Sequence, residues 1–160
     1  MSSQDQSKGI VLGDRTRWVI SGLSEFEPFF RHCELLLPQS PAIIYFEGVS
    51  IAPEVRAFFE SRAVPAWHAV RAGTWWPKPS IYHLPATRDV LEMLADLALR
   101  HAYPEIADHC HVYTTEEMIL QWYDACDPQM PLGAASIIPE QSVKAFCERT
   151  RTRYEAYIQR

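Results

Sequence analysis

The chain has 160 residues, 48% hydrophobic and 22% charged, with 12% aromatic residues and a formal net charge of -5. That much large apolar surface excludes a wholly disordered chain, and the acidic balance argues against a nucleic-acid partner, because phosphate contacts need a basic footprint. The longest apolar runs, such as 42–46, are far too short to span a bilayer, and the polar start Met1–Lys8 has no apolar core of a secretory signal. A cytoplasmic protein with no membrane partner is therefore expected.

Residues 1–14 are polar and irregular and are expected to form a flexible tail, followed by one globular α/β domain over residues 15–160. Arg15 to Ile20 is rich in strand formers. Ser24 with Glu27 three residues later reads as a capping box. Phe26, Phe29, Phe30, Cys33, Leu36 and Leu37 then follow at helical spacing until Pro38 and Pro41. Ala42 to Phe46 is a continuous apolar run between Pro41 and Gly48, the pattern of a strand buried on both faces. Glu47 ends that run and reads as an ordinary strand-end carboxylate rather than the rim of a ligand crevice.

Pro53 suits the first position of a second helix, with Val55, Phe58 and Phe59 as its core stripe. Val64 to Val70 reads as a strand, with Pro65 placing it at an edge. Gly73 to Pro79 is a loop by its Gly and Pro content. Ile81 to Leu84 is a short strand. Thr87 caps a third helix striped by Val90, Leu91, Leu94, Leu97, Ala98 and His101. His109 to Tyr113 and Met118 to Tyr123 flank Thr114–Glu117 as a hairpin. Uniform pairing about that turn puts His111 opposite Leu120 and His109 opposite Trp122. A last helix starts near Pro139 and buries Val143, Phe146 and Cys147, and Arg153 to Ile158 ends the chain as a strand or a fraying helix. Arg149, Arg151 and Arg153 read as a solvated end.

The order implies a single α+β domain with a mixed sheet of about five strands and about four helices packed on it; a three-layer α/β arrangement is the alternative. Phe29, Ile43, Ile44, Phe58, Leu91, Leu94 and Phe146 are expected in the core. Cys33, Cys110, Cys126 and Cys147 form no Cys-x-x-Cys pair, which removes a zinc ribbon or redox motif, and all four are expected as thiols in a reducing cytosol.

Phosphate-cradling glycine loops, His-Glu-x-x-His and Gly-x-Ser-x-Gly are all absent from the sequence. Two features carry chemistry. On a strand, His109 and His111 point to one face, and Asp124 lies diagonally near them. With or without His83 they would compose an open zinc or iron site for metal-assisted hydrolysis, or equally a general base with an orienting acid. The plainer reading has both histidines stacked on Trp122 and Tyr113 of a half-exposed sheet face. The second feature is Trp75-Trp76: in an extended loop adjacent side chains point opposite ways, so both cannot easily enter the core. An acidic, motif-poor, aromatic-rich domain fits a regulatory or immunity-type protein that binds another protein without catalysis or cofactor, anchored by Trp75, Trp76 and Lys78. The small metal-dependent hydrolase or metal-binding protein is the alternative.

Overall fold

The computed structural model describes residues 9–158. The elements in chain order are β1 (Thr16–Ser21), α1 (Phe26–His32), β2 (Ile43–Gly48), α2 (Pro53–Arg62), β3 (Ser80–Pro85), α3 (Arg88–Leu97), β4 (His109–Tyr113), β5 (Met118–Trp122), β6 (Leu132–Ala135), α4 (Glu140–Thr150) and β7 (Arg153–Ala156). Among the described residues the strands form one sheet of seven, in the order β3-β2-β4-β5-β6-β1-β7. The α+β class stands. The sheet is larger than the expected five strands and antiparallel throughout, not mixed. No helix among the described residues is long and apolar enough to cross a membrane.

The antiparallel sense of β3 has a visible cause. After α2 the chain does not turn straight into a parallel strand. It runs back along the sheet through residues 64–79, from Val64, whose N–H donates to the His83 carbonyl, to Ser80, which pairs with Gly48. This strap replaces the strand expected over Val64 to Val70. Pro65 lacks a donor for a ladder, and the only pairing there is an isolated bridge from Val70 to Ile10.

All four helices lie on one face of the sheet. Phe46, Cys110 and Trp122 are in register across β2, β4 and β5 on that face. Phe26 and Phe29 pack on Trp122, Phe30 and Phe59 on Phe46, and Phe146 on Phe29. The one-sided arrangement removes the three-layer alternative. The expected core residues Phe29, Ile43, Ile44, Leu91, Leu94 and Phe146 are buried; Phe58 is only partly buried, and its neighbour Phe59 takes the core position. The cap at Ser24 does not form: α1 starts at Phe26 after Glu25, with no side-chain capping bond. Thr87 does precede α3, but its hydroxyl donates to Asp89 Oδ1 instead of capping the backbone.

The other face carries no α-helix among the described residues. It is covered by the strap and by residues 9–14. Of the expected flexible tail, residues 1–8 lie outside the described residues; residues 9–12 are packed, and Gly13 and Asp14 are exposed. Leu12 is buried, and its N–H donates to Gln121 Oε1 at 2.9 Å. Gly133 makes room for it: a Cβ there would stand 2.9 Å from Leu12 Cδ2.

Candidate functional site

The helix-free face holds an unusual set of side chains for a buried surface. Strand pairing aligns His83, Tyr45, His111 and Gln121 in one row, and Ile81, Glu47 and His109 in the next. The hairpin register differs from uniform counting. A one-residue bulge between Val112 and Tyr113 pairs His111 with Gln121 and Cys110 with Trp122. Side chains alternate faces with period two, so one extra residue exchanges the faces. Trp122 thus lies on the helical face, and His109 and His111 share theirs with Tyr45, Glu47 and Tyr123. His111 stacks on Tyr45 at 5.4 Å with its plane 3° away, and meets Tyr123 edge-on at 4.7 Å.

Glu47 is the only buried carboxylate among the described residues. Its neighbours explain how a charge is held there. Oε1 accepts from the Tyr45 hydroxyl at 2.6 Å, and Oε2 accepts from the Thr74 N–H at 2.6 Å. The Gly73 N–H is shared between the two oxygens at 3.1 and 3.0 Å. Hydrogen bonds to an ionised acceptor are about twice as strong as neutral ones. Glu47 therefore clamps the strap to the sheet at Gly73–Thr74. Only glycine fits at position 73, since a Cβ would come within 2.7 Å of His109 Nε2 and 2.8 Å of Tyr123 Cδ1.

His109 completes the clamp. Its Nδ1 accepts the Asp124 backbone N–H at 2.9 Å, and its Nε2 lies 3.0 Å from Thr74 Oγ1 and 3.8 Å from Glu47 Oε2. Thr74, His109 and Asp124 have the composition of a nucleophile–base–acid triad but not its proton arrangement. A donor at Nδ1 leaves the proton of the neutral ring on Nε2, which then donates to Thr74 Oγ1 and has no lone pair to take its proton. The Asp124 carboxylate, 4.0 Å from Nδ1, does not orient the ring. His111 shows the same tautomer logic: the Trp122 N–H donates to its Nδ1 at 3.0 Å, while Nε2 is buried without a partner. Burial, reinforced by His109 nearby, pushes its pKa down to about 3.

The metal alternative finds no ligand set here. His83 is engaged by the Tyr113 hydroxyl at 2.8 Å, and the Asp124 carboxylate stands 4.0 Å from His109 Nδ1, which already accepts the Asp124 backbone N–H. Among the described residues no group of three or more His, Cys, Asp or Glu side chains is arranged to hold a metal ion. The stacking of both histidines on Trp122 also falls with the register. The four cysteines are unpaired.

Beyond the clamp the strap emerges as Trp75-Trp76-Pro77-Lys78. Trp75 is 66% and Trp76 82% exposed, and Lys78 is exposed beside them. Both tryptophans line a shallow cleft of about 480 Å³ together with Val49, Asp108 and Asp124. Asp124 stands in the left-handed region with φ 48°, a conformation uncommon outside glycine, and presents its N–H to His109 and its carboxylate to solvent. Sequence reasoning set Glu47 aside as an ordinary strand-end carboxylate and did not find Tyr45 or Thr74. The available signal was alternation: Tyr45 and Glu47 share a face within an apolar strand, as do His109 and His111 in theirs. Comparison with protein-family models, curated proteins and solved structures finds no match to this chain.

Proposed function

We propose that this chain is a regulatory or immunity-type domain that binds another protein, with Trp75 and Trp76 as apolar anchors and Lys78 as a flanking charge. The observation that carries the reading is the exposure of two adjacent tryptophans, 66% and 82%, on a segment clamped to the sheet two residues earlier. Single exposed apolar side chains, such as Leu99, are ordinary, but two adjacent exposed indoles form a patch, and tryptophan is enriched among residues that dominate interface affinity. The clamp matters energetically. Anchors on a pre-positioned strap lose less conformational entropy on association than anchors on a mobile loop. The acidic surface favours fast, selective encounter with a basic partner.

Affinity capture from the native cells tests this. The intact chain, a Trp75→Ala/Trp76→Ala variant and a Leu99→Ala control, which truncates an exposed side chain after α3, are compared. A stoichiometric partner retained by the first and third and lost by the double variant supports the reading. A partner retained equally by all three rejects these anchors.

A further inference from the structure

The cleft lined by the tryptophans has a second property beyond its apolar side chains. Its lining includes two carboxylates, Asp108 and Asp124, with Val49. Among the described residues neither pairs with a lysine or arginine. Asp108 Oδ2 accepts the Val49 N–H at 2.9 Å, and the Asp124 carboxylate has the His109 ring at 4.0 Å. Tyr103, 45% exposed, adjoins both carboxylates and hydrogen-bonds Asp108, a neutral partner that leaves the charge uncompensated; burial, the carboxylates' charge and that bond push its phenol pKa up. No ring of this chain stacks on Trp75 or Trp76 among the described residues, and no arginine or lysine lies over them. Open indole faces and two carboxylates with no lysine or arginine partner among the described residues thus meet in one cleft on a protein whose net charge is -5.

That combination selects a ligand chemistry. An indole face attracts a cation through its quadrupole, and a carboxylate through its charge; a guanidinium satisfies both, because it stacks flat and donates in its plane. An apolar or acidic partner would leave Asp108 and Asp124 unpaired as the cleft closed, which is unfavourable. We infer that the cleft between Trp75, Trp76, Asp108 and Asp124 receives an arginine side chain of the partner protein. This rests on the protein-binding reading above and adds the charge of the partner's anchoring residue.

The test uses a hexa-arginine peptide as probe and the indole N–H signals of Trp75 and Trp76 in 15N-labelled protein as readout. Hexa-glutamate and tetramethylammonium chloride are the comparison ligands. Saturable shifts of both indoles are expected with hexa-arginine and not with hexa-glutamate, weakening as salt is raised. Asp108→Asn/Asp124→Asn weakens that binding about tenfold or more. Glu148→Asn/Glu155→Asn removes the same net charge on α4 and β7, and stays within about twofold if the cleft is the site. Equal weakening by both pairs, or no saturable shift, overturns the inference, since the interaction would then be with net charge alone or absent. Tetramethylammonium matching hexa-arginine in affinity overturns it in favour of a small quaternary ammonium ligand. The two readings fail separately. A native partner still captured at full strength by Asp108→Asn/Asp124→Asn, but lost by Trp75→Ala/Trp76→Ala, removes the arginine and keeps the protein-binding role.

Discussion

Removing the Glu47 carboxylate is the perturbation with the largest consequence for the strap. In Glu47→Ala the Tyr45 hydroxyl and the N–H groups of Gly73 and Thr74 lose their acceptor together, in a position with no solvent exposure. Each buried donor left unsatisfied costs about 1–3 kcal/mol, and partial entry of water brings the total to about 3–5 kcal/mol. Glu47→Gln separates charge from hydrogen bonding. Oε2 alone is within reach of both strap amides, at 3.0 and 2.6 Å, so an amide oxygen there keeps the strap. The amide NH2 then faces Tyr45, whose hydroxyl can turn to accept. The loss falls to about 1–2 kcal/mol, the difference between charge-assisted and neutral bonds. Urea denaturation gives the order wild type, Glu47→Gln, Glu47→Ala, and native-state hydrogen exchange reads the Gly73 and Thr74 amides directly. An alanine variant within about 0.5 kcal/mol of wild type, with those two amides still protected, refutes the clamp.

Three further outcomes follow from the same geometry. Gly73→Ala drives a methyl group into His109 and Tyr123, so it destabilises by about 1–3 kcal/mol and speeds exchange at Thr74, measured by denaturation and hydrogen exchange. His111 is held neutral in the folded state with its pKa lowered to about 3, against an ordinary value of 6.5 when unfolded. The unfolded chain therefore binds the extra proton first, and stability is lost as pH falls through this window. Between pH 7 and 4.5 wild type should lose about 2–3 kcal/mol more than His111→Phe in paired urea titrations, and equal slopes would contradict the buried neutral ring. Trp75→Ala/Trp76→Ala, which removes exposed rings, changes folding stability by no more than about 0.5 kcal/mol, whatever it does to binding.

Much of the fold was legible because local signals agreed with tertiary demands. The run Ala42 to Phe46 is central in the sheet as β2, and the stripe Val90, Leu91 and Leu94 is the buried side of α3. What misled was the assumption that periodicity continues unbroken. Val64 to Val70 has strand composition, yet its hydrogen bonds go to the Tyr113 hydroxyl, the His83 carbonyl and Ile10, since it crosses the sheet as a covering segment. A bulge in the hairpin leaves no mark in composition, and it alone moved Trp122 to the helical face. That at least one of Trp75 and Trp76 stays out of the core was readable, because adjacent residues of an extended chain point apart; that both stand exposed was not. Glu47 was not, because its role depends on amides from a strap 26 residues later in the chain.

The protein-binding role is tested most directly by photo-crosslinking in the native cells. A photoreactive benzoylphenylalanine is placed at position 76, with a second protein carrying it at Ile137, which is 53% exposed ahead of α4. A discrete adduct with one partner protein from position 76 and none from position 137 is the predicted result. Adducts of equal yield from both positions, or none from position 76, would contradict it.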